Sequence, residues 1–198
     1  MTTEDSRDLI KDLRSIPSPL FYIFAAVALF FGFFFCGFTV AGIFTTLFLL
    51  LLTACAVADI NSGVVPELIL IAIAFLGAIF FFANEGLSVP GLIGHLIGAI
   101  CVSVPMLILS LLIKGAFGGG DIKLMAAAGF YLGWKYALGA AVTGLFLAGV
   151  YATYLLLTRK KDKHSRMRLA PFIAYGSAVA ALFGEQMIFL GKYLIGMN

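Results

Sequence analysis

The chain has little charge. Lys, Arg, Asp and Glu make up only 12% of its 198 residues, against about 25% in soluble globular domains, which excludes an ordinary water-facing exterior. Acids are scarcest: beyond residue 18 they are confined to Asp59, Glu67, Glu85, Asp121, Asp162 and Glu185. The three cysteines, Cys36, Cys55 and Cys101, sit inside apolar runs without CxxC spacing. That pattern suggests neither a zinc site nor a disulfide framework, and no metal or other cofactor is expected. A basic opening is also missing. Residues 1–18 mix Glu4, Asp5, Asp8 and Asp12 with Arg7, Lys11 and Arg14, unlike a cleaved secretory signal. They are expected to form a cytoplasmic N-terminal segment ahead of a single transmembrane domain over 19–198. No nucleic-acid partner is expected.

What is abundant is apolar: 62% hydrophobic residues, 20 of them Phe, and a mean hydropathy of +1.09. Lipid is then the main solvent and the expected partner of the surface. The backbone must satisfy its own hydrogen bonds as helices or a closed barrel, and long apolar runs choose helices. The runs lie near 19–38, 40–58, 66–83, 91–113, 136–158 and 171–190, with a shorter one at 122–134. The fold class is therefore all-α, a polytopic membrane bundle of about six to seven transmembrane helices, seven if the short run crosses. The loop holding Arg159, Lys160, Lys161, Lys163, Arg166 and Arg168 is basic, whereas the turn at Asn84-Glu85-Gly86 carries no Lys or Arg. Basic loops stay in the cytoplasm, which puts the N-terminus inside and the Asn84 turn outside. Two crossings separate Asp59 from Asp121, so both acids are expected at the cytoplasmic face, although 62 positions lie between them.

The first acid stands in Ala58-Asp59-Ile60-Asn61-Ser62-Gly63-Val64-Val65-Pro66-Glu67. Asn61 to Gly63 supply turn chemistry and Pro66 suits the start of the next helix, where its missing N–H costs nothing. Alone, Asp59 reads as a solvated acid in a connecting loop. The second stands in Phe117-Gly118-Gly119-Gly120-Asp121-Ile122-Lys123. Consecutive glycines each forfeit roughly 1 kcal/mol of helix stability and point to an unwound, closely approached backbone. Asp121, alone, reads as the N-cap of the helix that follows. A phosphate loop is disfavoured, because GxxxxGK[ST] is absent and phosphate would meet the carboxylate. Together the two acids say more. Carboxylates at the end of a membrane bundle are costly and are functional candidates by default. Two of them a few ångströms apart cannot both ionise easily and share one proton. One then takes a proton from water while the other gives one to a scissile carbonyl, as aspartic proteases do.

Gly118-Gly119-Gly120-Asp121 reads as a GxGD motif. With Ile122-Lys123-Leu124-Met125-Ala126-Ala127 behind it and Gly133-Trp134 beyond, it resembles the corresponding segment of type IV prepilin peptidases. Asp59 followed by Pro66 resembles that family's other catalytic loop, and Ala170-Pro171-Phe172-Ile173-Ala174-Tyr175-Gly176 its terminal motif. The likeness covers about 55–190. It implies that Asp59 and Asp121 are the catalytic pair, supported by Gly118, Gly120, Lys123 and Pro66. It also implies a prepilin-like substrate, cut between a short basic leader and an apolar helix at the cytoplasmic face of a prokaryotic plasma membrane. Longer bacterial members carry an N-terminal domain with paired CxxC motifs linked to N-methylation. This chain resembles the short, peptidase-only forms.

Lys123 could stabilise an ionised Asp121 or reach to the interface. Lys114 reads as a helix-end marker, the basic loop as a headgroup anchor, and His95 as a packing residue rather than a ligand. Gly129-x-x-x-Gly133 suits close helix contact. The competing reading is a small ion- or proton-coupled transporter that uses the same aspartates as a relay.

Overall fold

A computed structural model describes residues 18–86, 88–113, 116–158 and 168–195. The N-terminal segment, Lys114 and the basic residues from Arg159 to Arg166 lie outside the described residues. Among the described residues the chain forms eight helices and no strand: α1 (Pro19–Cys36), α2 (Val40–Ser62), α3 (Glu67–Glu85), α4 (Val89–Cys101), α5 (Ser103–Leu112), α6 (Gly119–Leu132), α7 (Trp134–Leu157) and α8 (Ala170–Ile195).

Local chemistry sets the boundaries. Pro19 opens α1 where a missing N–H is tolerated. The Thr39 hydroxyl caps α2 by accepting from the Gly42 N–H at 3.0 Å. Gly63 ends α2 in the left-handed region (φ 71°), a conformation suited to glycine, and its N–H returns to the Asp59 carbonyl at 2.9 Å. Between α4 and α5 the helix breaks at Val102. Pro105, which has no N–H to offer the carbonyl four residues back, accounts for that break.

Six stretches are long and apolar enough to cross a membrane: Pro19–Cys36, Val40–Ser62, Glu67–Asn84, Val89–Leu112, Trp134–Leu155 and Ala170–Phe189. The short run expected as a seventh crossing is α6, whose 14 residues extend only about 21 Å at 1.5 Å per residue, less than a hydrocarbon core of about 30 Å. It is short because it is sheathed in protein. Leu124, Met125, Ala128 and Tyr131 are almost wholly buried, and α6 packs against α3, α4, α5, α7 and α8. It still carries the chain from one end of the bundle toward the other. Its first turn lies beside Val65, and its last places the Tyr131 hydroxyl 3.4 Å from that of Thr45, near the start of α2.

Aromatic stacking and small residues hold α6 in place. Tyr131 stacks on Phe48 at 4.0 Å and on Phe80 at 4.9 Å between centroids. Gly129 meets Gly98 of α4 so closely that a Cβ on Gly129 would fall 2.2 Å from the Gly98 carbonyl oxygen. Such contact between small residues substitutes in lipid for the absent hydrophobic drive. Gly133 has another task, turning the chain between α6 and α7 at φ 75°. His95 is buried with Nδ1 2.6 Å from the Phe130 carbonyl, between the rings of Phe81 and Phe130.

Candidate active site

Asp59 and Asp121 reach one end of the bundle from opposite chain directions. Asp59 sits in the last turn of α2 and Asp121 in the first turn of α6; they are 5% and 9% exposed. The sequence suggested loop residues, but both are helical. α2 runs on to Ser62, since Asn61 and Ser62 are tolerated in a final turn that Gly63 can close. Nor is the glycine triplet unwound. Gly118 is the N-cap of α6, and Gly119 and Gly120 are already helical, so Asp121 is the third residue inside the helix rather than its cap. From there its Oδ2 accepts the Gly118 N–H at 3.3 Å, occupying one donor that a helix start leaves unpaired.

The glycines earn their places through space. A Cβ on Gly118 would lie 2.9 Å from Asp121 Oδ2, and one on Gly120 would lie 3.1 Å from the Cβ of Val65, whereas one on Gly119 would meet nothing within 4 Å. The outer glycines therefore let the carboxylate fold back and let α6 seat against the α2–α3 connection. Pro66 is fully buried and stands at the N-cap of α3, one position earlier than a first helical residue. Lys123 faces neither Asp121 nor open water alone; its ammonium pairs with Glu67 across the α3–α6 contact, both side chains being largely exposed.

Two contributors had no place among the expected site residues. The backbone of Ala170, at the start of α8, lowers the pKa of both carboxyl groups, and the Arg168 guanidinium acts on Asp59 from just before that helix. A helix N-terminus carries unpaired N–H groups and partial positive charge, so the start of α8 favours negative charge on the acids. Pro171 after Ala170 marks a helix start in the sequence, but nothing local says which groups that start will face. Asp59 Oδ2 is buried, and no described group hydrogen-bonds to it.

Burial, and then the neighbouring Asp59 charge, push the Asp121 carboxyl up from 3.8 to about 6, against the opposing pull of the Gly118 and Ala170 N–H groups. The Asp59 charge acting on Asp121 marks the acids as neighbours, and two neighbouring carboxyls hold a proton more readily than either alone. Such a pair can present an ionised and a protonated carboxyl to one reacting group. Among the described residues no three His, Cys, Asp or Glu side chains converge as a metal ligand set.

Residues 46–153 match the type IV leader peptidase family, a stretch that includes both aspartates and stops before Ala170. The chain is 34% identical over 142 residues to a prepilin leader peptidase/N-methyltransferase of Bacillus subtilis, covering 71% of this chain and 56% of that protein. It is 25% identical over 158 residues to the Legionella pneumophila protein of the same name (77% and 54% covered) and 24% identical over 147 residues to that of Pseudomonas putida (73% and 51%). The chain thus spans about half the length of these curated relatives. No solved structure matches it significantly. A multi-pass helical bundle with two buried aspartates at one end, matched across its central helices, belongs to the type IV leader peptidase family.

Proposed function

We propose that this chain is an intramembrane aspartic endopeptidase that removes the leader from type IV prepilin-like precursors at the cytoplasmic face of a prokaryotic plasma membrane. One observation carries the reading: Asp59 and Asp121, 62 positions apart in sequence, are both buried at one end of the bundle, close enough for the Asp59 charge to act on Asp121. The names of the relatives support the leader-bearing substrate.

In the proposed mechanism a water lies between the carboxyl groups. The ionised member takes a proton as the water oxygen attacks the scissile carbonyl carbon, and the protonated member gives its proton to the carbonyl oxygen. The resulting gem-diol collapses as the amide nitrogen is protonated and the C–N bond breaks, leaving a leader with a free carboxylate and a mature chain with a free amine. The proton shared by the pair is restored at the end of the cycle. The start of α8 stabilises the ionised carboxyl, and Asp59 Oδ2, buried and with no described hydrogen-bond partner, accepts from the water. The chemistry requires no cofactor. No observation favours the transport alternative, since both acids lie at helix ends rather than at mid-bundle.

The test is cleavage of a leader-bearing prepilin precursor by purified protein in detergent, wild type against Asp59→Asn and Asp121→Asn. Either variant should lose about 10²-fold or more of the rate, the low end of what a positioned acid–base group contributes, with unchanged helicity. Undiminished cutting by both variants would end the aspartic mechanism.

A further inference from the structure

An apolar groove of about 360 Å³ is walled by α2 from Leu49 to Ile60, by α8 from Pro171 to Phe183 and by α1 from Phe24 to Phe31. Each wall contributes residues at helical spacing. The α2 wall extends about 17 Å at 1.5 Å per residue, roughly three turns. The lining reaches the chain neighbours of the site: Ile60 follows Asp59 and Pro171 follows Ala170.

The lining states what the groove accepts. Its polar side chains are Thr53, whose hydroxyl is already committed to the Leu49 carbonyl at 2.8 Å, and Tyr175, which is 57% exposed. An extended peptide would bring backbone N–H and C=O groups that find no partner there, and unpaired groups are costly in an apolar setting. A helix brings none, because its backbone is internally satisfied. A ridge of side chains from such a helix can seat between α2 and α8, where Ala56, Ala174 and Ala178 keep the floor low.

We propose that this groove docks the apolar helix of the substrate, so that the bond to be cut emerges from the groove at Asp59 and Asp121. The proposal rests on the peptidase reading above. Two of the three walls, α1 and α8, lie outside the 46–153 stretch that matches the family.

The experiment compares two substrates in vesicles of phosphatidylethanolamine and phosphatidylglycerol: a whole precursor with its apolar helix, and a short peptide covering only the cleavage junction. Ala178→Phe fills the floor, and Val27→Trp, at an exposed position of α1, narrows the mouth without touching the core. Each should raise KM for the whole precursor at least tenfold and leave kcat/KM for the short peptide within twofold. Equal loss on both substrates, or no loss on either, overturns the groove. A photo-crosslinking residue at Val179 in an Asp121→Asn background should capture the added precursor through its apolar helix. Adducts with lipid alone overturn the proposal as well. Wild-type protein that cuts neither substrate defeats the peptidase reading instead.

Discussion

At the residue scale the site depends on which atoms are allowed close to Asp121. Gly119 faces open space and is helical, so Gly119→Ala should keep full activity and stabilise α6 by up to about 1 kcal/mol, as removing a helical glycine does. Gly120→Ala must displace Val65, and Gly118→Ala must displace the Asp121 carboxylate. Both should cut the rate at least tenfold. Parallel cleavage assays and thermal unfolding of the three variants check this, and equal behaviour of all three would refute the spatial account of the motif. The Asp121 proton supplies a second prediction. Its carboxyl titrates near 6 in the folded chain against 3.8 for the unperturbed group. Proton binding therefore favours the fold: that contribution is complete below about pH 4 and is lost as pH rises through 6. Thermal midpoints of the wild type should fall as pH rises from about 4 to 6, and those of Asp121→Asn should fall less over that window. Activity that requires the shared proton should decline on the same limb.

At the element scale α6 is the pivot. It is too short to span lipid, and it is stable because α3, α4 and the neighbouring helices enclose it. At the Gly98–Gly129 crossing even a Cβ would fall 2.2 Å from the facing backbone, so Gly129→Leu should separate α4 from α6 and destabilise the bundle by about 1–3 kcal/mol, the usual cost of overpacking. Unfolding in mixed micelles measures it, and a loss of cleavage should accompany it. The Lys123–Glu67 pair is exposed on both sides, and exposed pairs contribute about 0–1 kcal/mol. Lys123→Ala should therefore leave stability and rate nearly unchanged; a tenfold loss of rate would show that Lys123 acts on the acids after all.

At the scale of the whole molecule, the bundle places the ends of α2 and the starts of α3, α6 and α8 together, with the Glu85 end of α3 remote from them. Cysteines introduced at Ser62 and Arg168, in a chain freed of Cys36, Cys55 and Cys101, should label from one side of a sealed vesicle and one at Asn84 from the other. Labelling of Ser62 and Arg168 from opposite sides would contradict the topology. Much of this was legible beforehand. Six apolar runs marked the long helices, because a chain in lipid has few other ways to satisfy its backbone, and two sparse acids beside glycine and proline marked the candidate site. Helix continuation through Asp59 and through Gly119–Gly120 was not legible, since turn-forming residues are tolerated within a final or first turn once neighbours pack against it. The sheathing of α6 escaped for a related reason: length measures fitness to span lipid, whereas burial in protein depends on partners far along the chain. Sequence alone, then, determined the solvent, the helices and the two acids, all of which follow from local composition. Only the tertiary structure decided that the start of α8 acts on both acids, that Lys123 pairs with Glu67, and that α1, α2 and α8 enclose an apolar groove. Each of these is a meeting of distant segments, set by how helices pack.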